Sequence, residues 1–458
     1  MTDTKKVGNI PLIKQSQFSS LDLHLPDNSV SYDIVALRKD TEKRLIDTSK
    51  KSTTLQASFT LFSSFVGTGL LSVPYSFRLV GLGPSILCMI FIGFLTYHCL
   101  SLVLAVAGEQ PANERPTLEL LTHKLLGNAA LYIVQISISL LQIGICTVIL
   151  MFSTNFLNYA LCNFGIESLC DNIPFRVVVV LIVTLPLTMV TNPHWFYITS
   201  SFSTCCVMLG LVTQLAFNFN TLQEQPLTSE NVMSRLLEFK YSNLPQFFGV
   251  AIYTFEGIGT LFSVRSAMET PSDLPNILKY QMILIVFLYI GFPSICFLTF
   301  QDHVPEIMIF TLPITPFYLW VQIFLVMSSL CGYSLQLFPT LKILENSHFL
   351  RNLIFDEKGN TKNKLLRFGG RVIIIFAMLG IVFSGLSFNL WISFIGSFVS
   401  TFIGFVLPVL LYQKQFGASI SRRKKIMNRI ALSIGVTIGI IGVGQTLGVM
   451  LGIIHARQ

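Results

Sequence analysis

The chain has 458 residues, of which 52% are hydrophobic and 12% are charged, and its formal net charge is +8. Soluble globular domains carry about 25% charged residues, so this composition excludes an ordinary soluble protein and indicates an all-α polytopic membrane protein. The basic residues fall in the connections between apolar runs, which argues against nucleic acid as a partner and for the lipid bilayer.

Residues 1–50 are polar and mix charge with serine and aspartate, so we expect a disordered tail and no cleaved targeting peptide. Eleven apolar runs that follow are long enough to span a membrane. They cover roughly 54–79, 82–107, 130–156, 174–192, 197–219, 246–268, 279–300, 313–339, 370–386, 389–412 and 429–453. The ninth run is short and ends at Gly385-Leu386-Ser387, where we expect a tight reversal into the tenth.

Lysine and arginine are unequally divided between the two sides that these runs define. Of the 31 such residues, those on the side opposite the tail are Arg78, Arg176, Arg235, Lys240 and Arg457. The positive-inside rule therefore predicts a cytosolic N-terminus and a C-terminus outside the cell or in a lumen. The plasma membrane and the vacuole or lysosome both stay open as locations.

The cysteines divide into two groups. Seven of the nine lie in apolar runs, where cysteine usually behaves as a small buried side chain. Cys162 and Cys170 lie instead in the connection between the third and fourth runs, which the charge distribution places outside the cytosol. Since disulfides persist in such compartments, a bond between these two is our hypothesis.

The first and sixth runs share the pattern Phe-x-Gly-x-Gly, at Phe65–Gly69 and Phe255–Gly259. A glycine costs about 1 kcal/mol relative to alanine inside a helix, so we expect both helices to be broken there. Opened backbone at membrane depth survives only against protein, water or a solute, and paired broken helices are typical of the binding site of a secondary transporter. The alternative is that the glycines only allow close helix packing.

The repeated pattern predicts two five-helix repeats, residues 51–219 and 246–412. A non-cytosolic loop at 220–245 would separate them, and a basic loop with the eleventh helix, 413–458, would follow. Repeats with an odd number of helices take opposite orientations, so a pseudo-two-fold axis in the membrane plane should relate them.

The two breaks together suit a zwitterion. The break of the first helix should expose backbone N–H groups of Val66, Gly67, Thr68 and Gly69 at the positive end of a half-helix, where a carboxylate is stabilised. The break of the sixth helix, around Gly257 and Gly259, should expose carbonyl groups that suit an ammonium group. Such a receptor requires no charged side chain.

Glu256 is the only acidic residue placed well inside a spanning run. A charge at the bilayer centre costs about 3 kcal/mol, so this carboxyl should be protonated, paired or hydrogen-bonded to opened backbone. Glu256 is therefore our candidate for proton coupling. The alternative is that it caps free N–H groups of the broken sixth helix and never titrates.

At these residues the chain resembles the amino acid/auxin permease family, most closely its proton-coupled and vacuolar amino acid transporter branch. The matching stretches are Gly67–Pro74, Phe91–Gly93, Tyr97–Cys99, Phe255–Gly259, Met268–Pro271 and Leu335–Pro339. The resemblance implies a LeuT-like 5+5 inverted-repeat fold with eleven helices, and movement of small neutral amino acids with protons.

By the same resemblance, the substrate carboxylate would meet the backbone of Val66–Gly69, and Tyr253 and Phe255 would shape the side-chain pocket with Ser328 or Ser329. Serines in membrane helices also bond their own backbone, which is the alternative for this last pair. Sodium-coupled relatives look as though they carry an asparagine where this chain has Ser63, which disfavours sodium.

Two further departures bear on the coupling ion and the substrate. Proton-coupled relatives show an asparagine where this chain has Phe65 and an acidic residue near Arg265. The amino acid itself stays open, because backbone recognition of a zwitterion does not depend on the side chain.

Other function classes predict different features. An amino acid sensor would use substrate binding to rearrange the tail for a cytosolic partner, and sodium-coupled or uncoupled transport is a further alternative. A channel is disfavoured because no repeated filter or ring of charges occurs. We also find no nucleophile–base or metal-ligand constellation, so we expect no catalytic residue, metal or cofactor.

Overall fold

The computed structural model describes residues 53–110, 116–166, 168–170, 172–189, 193–224, 229–345, 347, 354 and 363–452. Every regular element in this part of the chain is helical. The tail, residues 1–50, on which the sensor hypothesis depends, lies outside the described residues, as does Arg457.

Eleven helices follow the eleven predicted runs in order. They are α1 (Thr54–Val80, interrupted), α2 (Leu82–Gly108), α3 (Asn128–Asn163), α4 (Ile173–Met189), α5 (Pro193–Glu224), α6 (Tyr241–Ala267, interrupted), α7 (Leu274–Phe300), α8 (Pro316–Glu345), α9 (Lys364–Val382), α10 (Phe388–Phe416) and α11 (Arg422–Met450). Ten of them are long and apolar enough to cross a bilayer, whereas α4 has 17 residues. The prediction of an all-α polytopic membrane protein is confirmed.

Large apolar side chains cover the outside of the bundle. Leu87 on α2 is 69% exposed, Phe287 on α7 is 78% exposed and Ile440 on α11 is 71% exposed. An apolar surface of this kind would drive aggregation in water. Such a surface suits contact with lipid tails. The helices are apolar on all sides because one side of each packs against other helices and the other side faces lipid.

Both predicted breaks are present. Half-helix α1a (Thr54–Phe65) is separated from α1b (Val73–Val80) by extended backbone at Gly67 and a 3₁₀ turn. Half-helix α6a (Leu244–Thr254) is separated from α6b (Ile258–Ala267) by three non-helical residues.

The half-helices cross in opposite directions, since α1a packs on α6b and α1b packs on α6a. Other packing pairs also have a counterpart in the second half of the chain. The contact between α3 and α9 corresponds to the contact between α8 and α4. The contact between α2 and α10 corresponds to that between α7 and α5, and the contact between α1 and α5 corresponds to that between α6 and α10. This is the pattern that two five-helix repeats require.

The connections add details around this core. The predicted tight turn, with Gly385 at φ +81°, joins α9 to α10. The Ser387 side chain caps the start of α10. Cys162 and Cys170 are joined by a disulfide at the turn after α3. Two short helices that the sequence analysis did not predict, Leu118–Leu126 and Ser229–Leu237, lie in the connections before α3 and α6.

Candidate functional site

The break in α1 leaves the start of its second part without a cap. Helix α1a ends at Phe65, and Val66 and Gly67 are non-helical. The prediction that both expose free N–H groups is wrong, because they donate to the carbonyls of Phe62 and Phe65 at 3.0 and 3.1 Å. The 3₁₀ turn Thr68–Ser72 then runs directly into α1b, and no side chain of the described residues caps its first N–H groups. Such an uncapped start carries a partial positive charge and can accept a carboxylate.

The break in α6 is capped by its own acidic residue. The backbone N–H of Ile258 donates to Glu256 Oε1 at 3.2 Å, so the carboxyl group lies at the positive end of α6b. This is the capping contact that the sequence analysis named as the alternative role of Glu256. At the other side of the break, the Phe255 and Glu256 N–H groups donate to the carbonyls of Ala251 and Tyr253.

A glycine in each break receives an aromatic ring from the other. A Cβ added to Gly257 would come within 2.5 Å of the Phe65 ring, and one added to Gly69 would lie 3.0 Å from the Tyr253 ring. These two glycines therefore allow close packing. Gly67 and Gly259 differ, because an added Cβ would meet no atom within 4 Å at either position.

Tyr289 on α7 connects the two breaks. Its side chain is fully buried, and its hydroxyl lies 2.5 Å from the carbonyl oxygen of Phe65 and 3.0 Å from that of Thr254. These carbonyls are at the C-terminal ends of α1a and α6a, where partial negative charge accumulates. One hydroxyl thus satisfies the ends of both half-helices.

A small cavity lies beside the α6 break, between α2, α6 and α10. Its volume is about 10 Å³, and its polar lining residues are Thr96, Glu256 and Ser400. A water molecule needs roughly 10–15 Å³ measured in this way, so the cavity holds about one water and no amino acid. The space between the breaks is filled by the Phe65 and Tyr253 rings.

Helix α10 is distorted where it lines this cavity. Two π-helical turns, Gly396–Ser400 and Phe402–Val406, lie in its middle, and the Thr401 hydroxyl donates to the Gly396 carbonyl at 2.9 Å. The backbone of Gly396 also lies close against Gly249 of α6a. Single π-turns inside helices are frequent at functional sites.

The remaining predicted pocket residues lie in different surroundings. Phe255 is buried, with its ring 5.0 Å from that of Tyr289 and its edge against Gly93 of α2. Ser328 donates to the Ser203 carbonyl of α5 at 3.1 Å. Ser329 donates to its own helix at Val326, as does Ser63 at Thr60.

The structure therefore brings together the backbone of Val66–Gly69, Tyr253 and Phe255–Gly257, but no hydrogen bond among the described residues joins Ser328 or Ser329 to them. Sequence reasoning missed Tyr289, Thr96 and Ser400. A buried tyrosine usually needs a hydrogen-bond partner, and a tyrosine in the seventh apolar run could have raised that question. Within the described ranges, no group of three or more histidine, cysteine or acidic residues could hold a metal ion.

Comparison with known proteins points to one family. The family described as transmembrane amino acid transporter protein matches residues 50–450. The vacuolar amino acid transporter 3 of Saccharomyces cerevisiae is 26% identical over 85% of this chain and 55% of its own length. The amino acid transporter ANT1 of Arabidopsis thaliana is 23% identical over 91% of this chain and 98% of its own length.

A third relative is the proton-coupled amino acid transporter-like protein pathetic of Drosophila melanogaster, 21% identical over 84% of each chain. The chain spans about half the length of the yeast relatives that it matches, 55% and 54%, and nearly all of the plant relative. These relatives are named as transporters and not as enzymes, as the sequence predicts.

Proposed function

Since the chain belongs to the transmembrane amino acid transporter family, we propose that it is a secondary active transporter that moves small neutral amino acids together with protons by alternating access. The observation that supports this most is the meeting of two broken helices, with one uncapped half-helix start and one capped by Glu256. Broken helices at the middle of inverted repeats are where such transporters bind their substrates.

In this proposal the substrate carboxylate binds the N–H groups of Thr68 and Gly69, because those of Val66 and Gly67 already donate to the Phe62 and Phe65 carbonyls. The support is local: α1b and its 3₁₀ turn start without a side-chain cap, and the space next to Gly67 is open. Anions bind at helix N-termini because several N–H groups and the helix dipole point at them. No arginine or lysine is then needed.

The ammonium group binds the carbonyl ends of the half-helices, with Thr254 as the first candidate. A carbonyl oxygen has two acceptor positions, and Tyr289 uses one of them on Thr254. The substrate side chain would lie near Gly257, Gly259 and the Tyr253 and Phe255 rings. Ser328 and Ser329 would contribute only after α8 has moved relative to α5, because Ser328 bonds Ser203 here.

Substrate entry requires a conformational change. The Phe65 and Tyr253 rings fill the space between the breaks, so an amino acid enters only when α1a separates from α6b or α1b separates from α6a. Opening one pair at a time exposes the same backbone groups to one side of the membrane and then to the other. This is alternating access around a fixed site.

Glu256 couples transport to protons in this proposal. As a carboxylate it caps the start of α6b; when protonated, it loses the charge that strengthens this bond. Protonation would therefore loosen α6b from the break and shift the balance between the two openings. The coupling and capping roles are two states of one group.

The proposal includes a location. The names of the yeast relatives contain the word vacuolar, so we place this chain in the membrane of a vacuole or an equivalent acidic organelle. The positive-inside rule supports a cytosolic N-terminus and a lumenal C-terminus. Protons would then drive amino acids out of the organelle.

Proteoliposomes containing the purified full chain test this function. A panel of labelled neutral amino acids is offered with and without an imposed pH gradient, and exchange is measured at equal pH on both sides. We expect Glu256→Gln to lose accumulation driven by the pH gradient and to retain exchange. Glu269→Gln, an exposed position at the end of α6, is the matched control.

Three results would count against the proposal. Accumulation that does not respond to the pH gradient in the wild type excludes proton coupling. Unchanged accumulation in Glu256→Gln leaves Glu256 as a structural cap. Normal substrate affinity in Gly67→Val excludes the backbone site at the α1 break, since the added side chain would fill the open space there.

A further inference from the structure

The cavity beside the α6 break contains three polar groups from three different helices. Thr96 comes from α2, Glu256 from the break and Ser400 from a π-turn of α10. Thr96 is 7% exposed and Ser400 is 1% exposed. The Thr96 and Ser400 side chains are therefore surrounded by protein and by this cavity.

Both hydroxyls lack a partner. Neither Thr96 Oγ1 nor Ser400 Oγ has a hydrogen bond to any residue that the structure describes. Many buried serines and threonines among the described residues bond a carbonyl of their own helix, as Thr184 does at Val180. A buried hydroxyl without a partner costs roughly 1–3 kcal/mol, and a water molecule removes that cost where it finds two to four polar partners.

The cavity has the size that one water molecule needs, about 10 Å³. Its shape depends on α10, because a π-turn shifts the register of the side chains that follow it and presents Ser400 and Gly404 to the α6 break. Leu100 and Phe405 also line it, one turn nearer the end of the bundle where α1 begins. The cavity thus extends from Glu256 toward that end.

We propose that this cavity is a binding site for a single water molecule, held by Thr96, Ser400 and Glu256, through which Glu256 exchanges its proton with the side of the membrane where α1 begins. The water gives one proton to a Glu256 carboxylate oxygen and takes one proton from solvent on that side. An O–H bond forms on the carboxyl group and an O–H bond of a hydronium ion in that solvent breaks, while one O–H bond of the bound water is broken and remade. The proton route rests on the proposed function, whereas the water site does not.

Among the residues that line the cavity in the described chain, Glu256 is the one with an acidic or basic side chain. No lysine, arginine, aspartate or histidine is among its lining residues in the described chain. His98 lies between Thr96 and Leu100 on α2, but its Nε2 is 2.9 Å from Asn428 Oδ1 of α11. Tyr253 and Tyr289 are the titratable side chains at the break itself, on α6 and α7.

Transport in proteoliposomes tests the route. We expect Thr96→Val and Ser400→Ala each to lower accumulation driven by a pH gradient by about tenfold, the effect of losing one hydrogen bond to a charged group, with exchange at equal pH within about twofold of wild type. Thr184→Val and Ser397→Ala are the controls, because Thr184 bonds its own helix and Ser397 is a buried, unpartnered serine of α10 outside the cavity lining. Both controls should keep pH-driven accumulation.

Three outcomes overturn the proton route. Unchanged accumulation in both variants removes the route, and equal loss of exchange and accumulation shows a structural role. Loss that disappears when sodium is replaced by choline identifies a cation site instead. A wild type that moves no amino acid refutes the proposed function and leaves the water site to a second measurement.

That second measurement is the infrared carboxyl band of Glu256 in the purified chain, assigned by its absence in Glu256→Gln. Removing a water-bound hydroxyl weakens the hydrogen bonding of the carboxyl group, so the band should shift in Thr96→Val and in Ser400→Ala. It should stay in place in Ser397→Ala and Thr184→Val. A band that is the same in all four variants excludes a water shared by the three groups.

Discussion

At the scale of single residues, the Tyr289 hydroxyl contacts carbonyl oxygens at the ends of both broken half-helices, a position that suits a cation. The carbonyl ends of broken helices attract cations in transporters of this architecture. Here the carbonyls of Phe65 and Thr254 face the positive end of one O–H dipole. A hydroxyl has a single hydrogen, so it serves both oxygens only while they stay close together. Tyr289 therefore favours the arrangement in which the two breaks are in contact.

Tyr289→Phe should destabilise the protein. The change removes the Tyr289 donor from the buried Thr254 carbonyl and leaves the Phe65 carbonyl with the Gly67 N–H alone, and an unpaired buried group costs roughly 1–3 kcal/mol. We expect a lower midpoint of thermal unfolding for the purified protein than in Tyr280→Phe, a variant of a 68% exposed tyrosine on the same helix. Equal midpoints for the two variants would show that the Tyr289 hydroxyl holds nothing together.

At the scale of helices, each contact between half-helices is made by an aromatic ring of one against a glycine next to the other. Phe65 of α1a packs on Gly257 before α6b, and Tyr253 of α6a packs on Gly69 before α1b. The contacts are reciprocal because the half-helices cross in opposite directions. A glycine is required where a ring occupies the place of its Cβ, and Gly257 meets that condition more strictly than Gly69.

Gly257→Ala should therefore separate α1a from α6b. The new methyl group would come within 2.5 Å of the Phe65 ring, and overpacking of this kind costs roughly 1–3 kcal/mol. We expect reduced thermal stability and reduced amino acid exchange, with partial recovery in the double variant with Phe65→Leu. Gly259→Ala is the control for thermal stability, because its methyl group meets no atom within 4 Å. Additive losses in the double variant would contradict this contact.

The helices and their breaks were predictable because their causes are local. Apolar runs of the right length predict the spans, and Gly67, Gly69, Gly257 and Gly259 predict both breaks. The family inferred from those residues is confirmed by the match over residues 50–450. We treated close packing at the glycines and opened backbone as alternatives, but the structure contains both. Gly257 allows close packing of the Phe65 ring, and Gly67 lies where the backbone of α1 is extended.

The partners of the breaks were not predictable in the same way. Tyr289 is 224 positions from Phe65, and nothing in the spacing of α7 marks it. The first π-turn of α10 begins at Gly396, whose backbone lies close against Gly249, and this is a tertiary contact. Ser400 and Thr96 meet at one cavity only because α2 and α10 both pack beside α6. Such meetings depend on the fold and leave no local pattern.

At the scale of the whole molecule, the two ends of the bundle are held by polar clusters of different strength. Where α1 begins, the end of α8 is joined to the start of α9, with Arg371 Nη2 2.7 Å from Glu345 Oε1 and only 4% of the arginine side chain exposed. Breaking a buried pair by removing one partner costs about 3–5 kcal/mol. That end is firmly held.

The opposite end is held by exposed ion pairs. Arg235 lies 2.7 Å from Asp302, and Lys240 lies 3.0 Å from Glu238, in the segment that precedes α6. The hydrogen bond that Arg235 donates to Asp302 raises the pKa of the Arg235 guanidinium. The Lys240 N–H also donates to the Val80 carbonyl at the end of α1b. Exposed pairs contribute about 0–1 kcal/mol each, so this end should open more readily.

Asp302→Asn and Glu345→Gln should therefore have opposite signatures. Glu345→Gln leaves Arg371 buried without a carboxylate, so we expect a fall in the unfolding midpoint equivalent to about 3 kcal/mol.

Asp302→Asn removes only exposed contacts, so the unfolding midpoint should hardly change. Amide hydrogen exchange at the end of α1b should become faster, because the segment that contacts Val80 is released. Mass spectrometry of exchanged peptides measures this, with Asp273→Asn, a half-buried aspartate before α7 that accepts a hydrogen bond from Thr270, as the control. Unchanged exchange at α1b in Asp302→Asn would show that the ion pairs do not restrain this end, and an unchanged midpoint in Glu345→Gln would show that the buried pair does not hold the other.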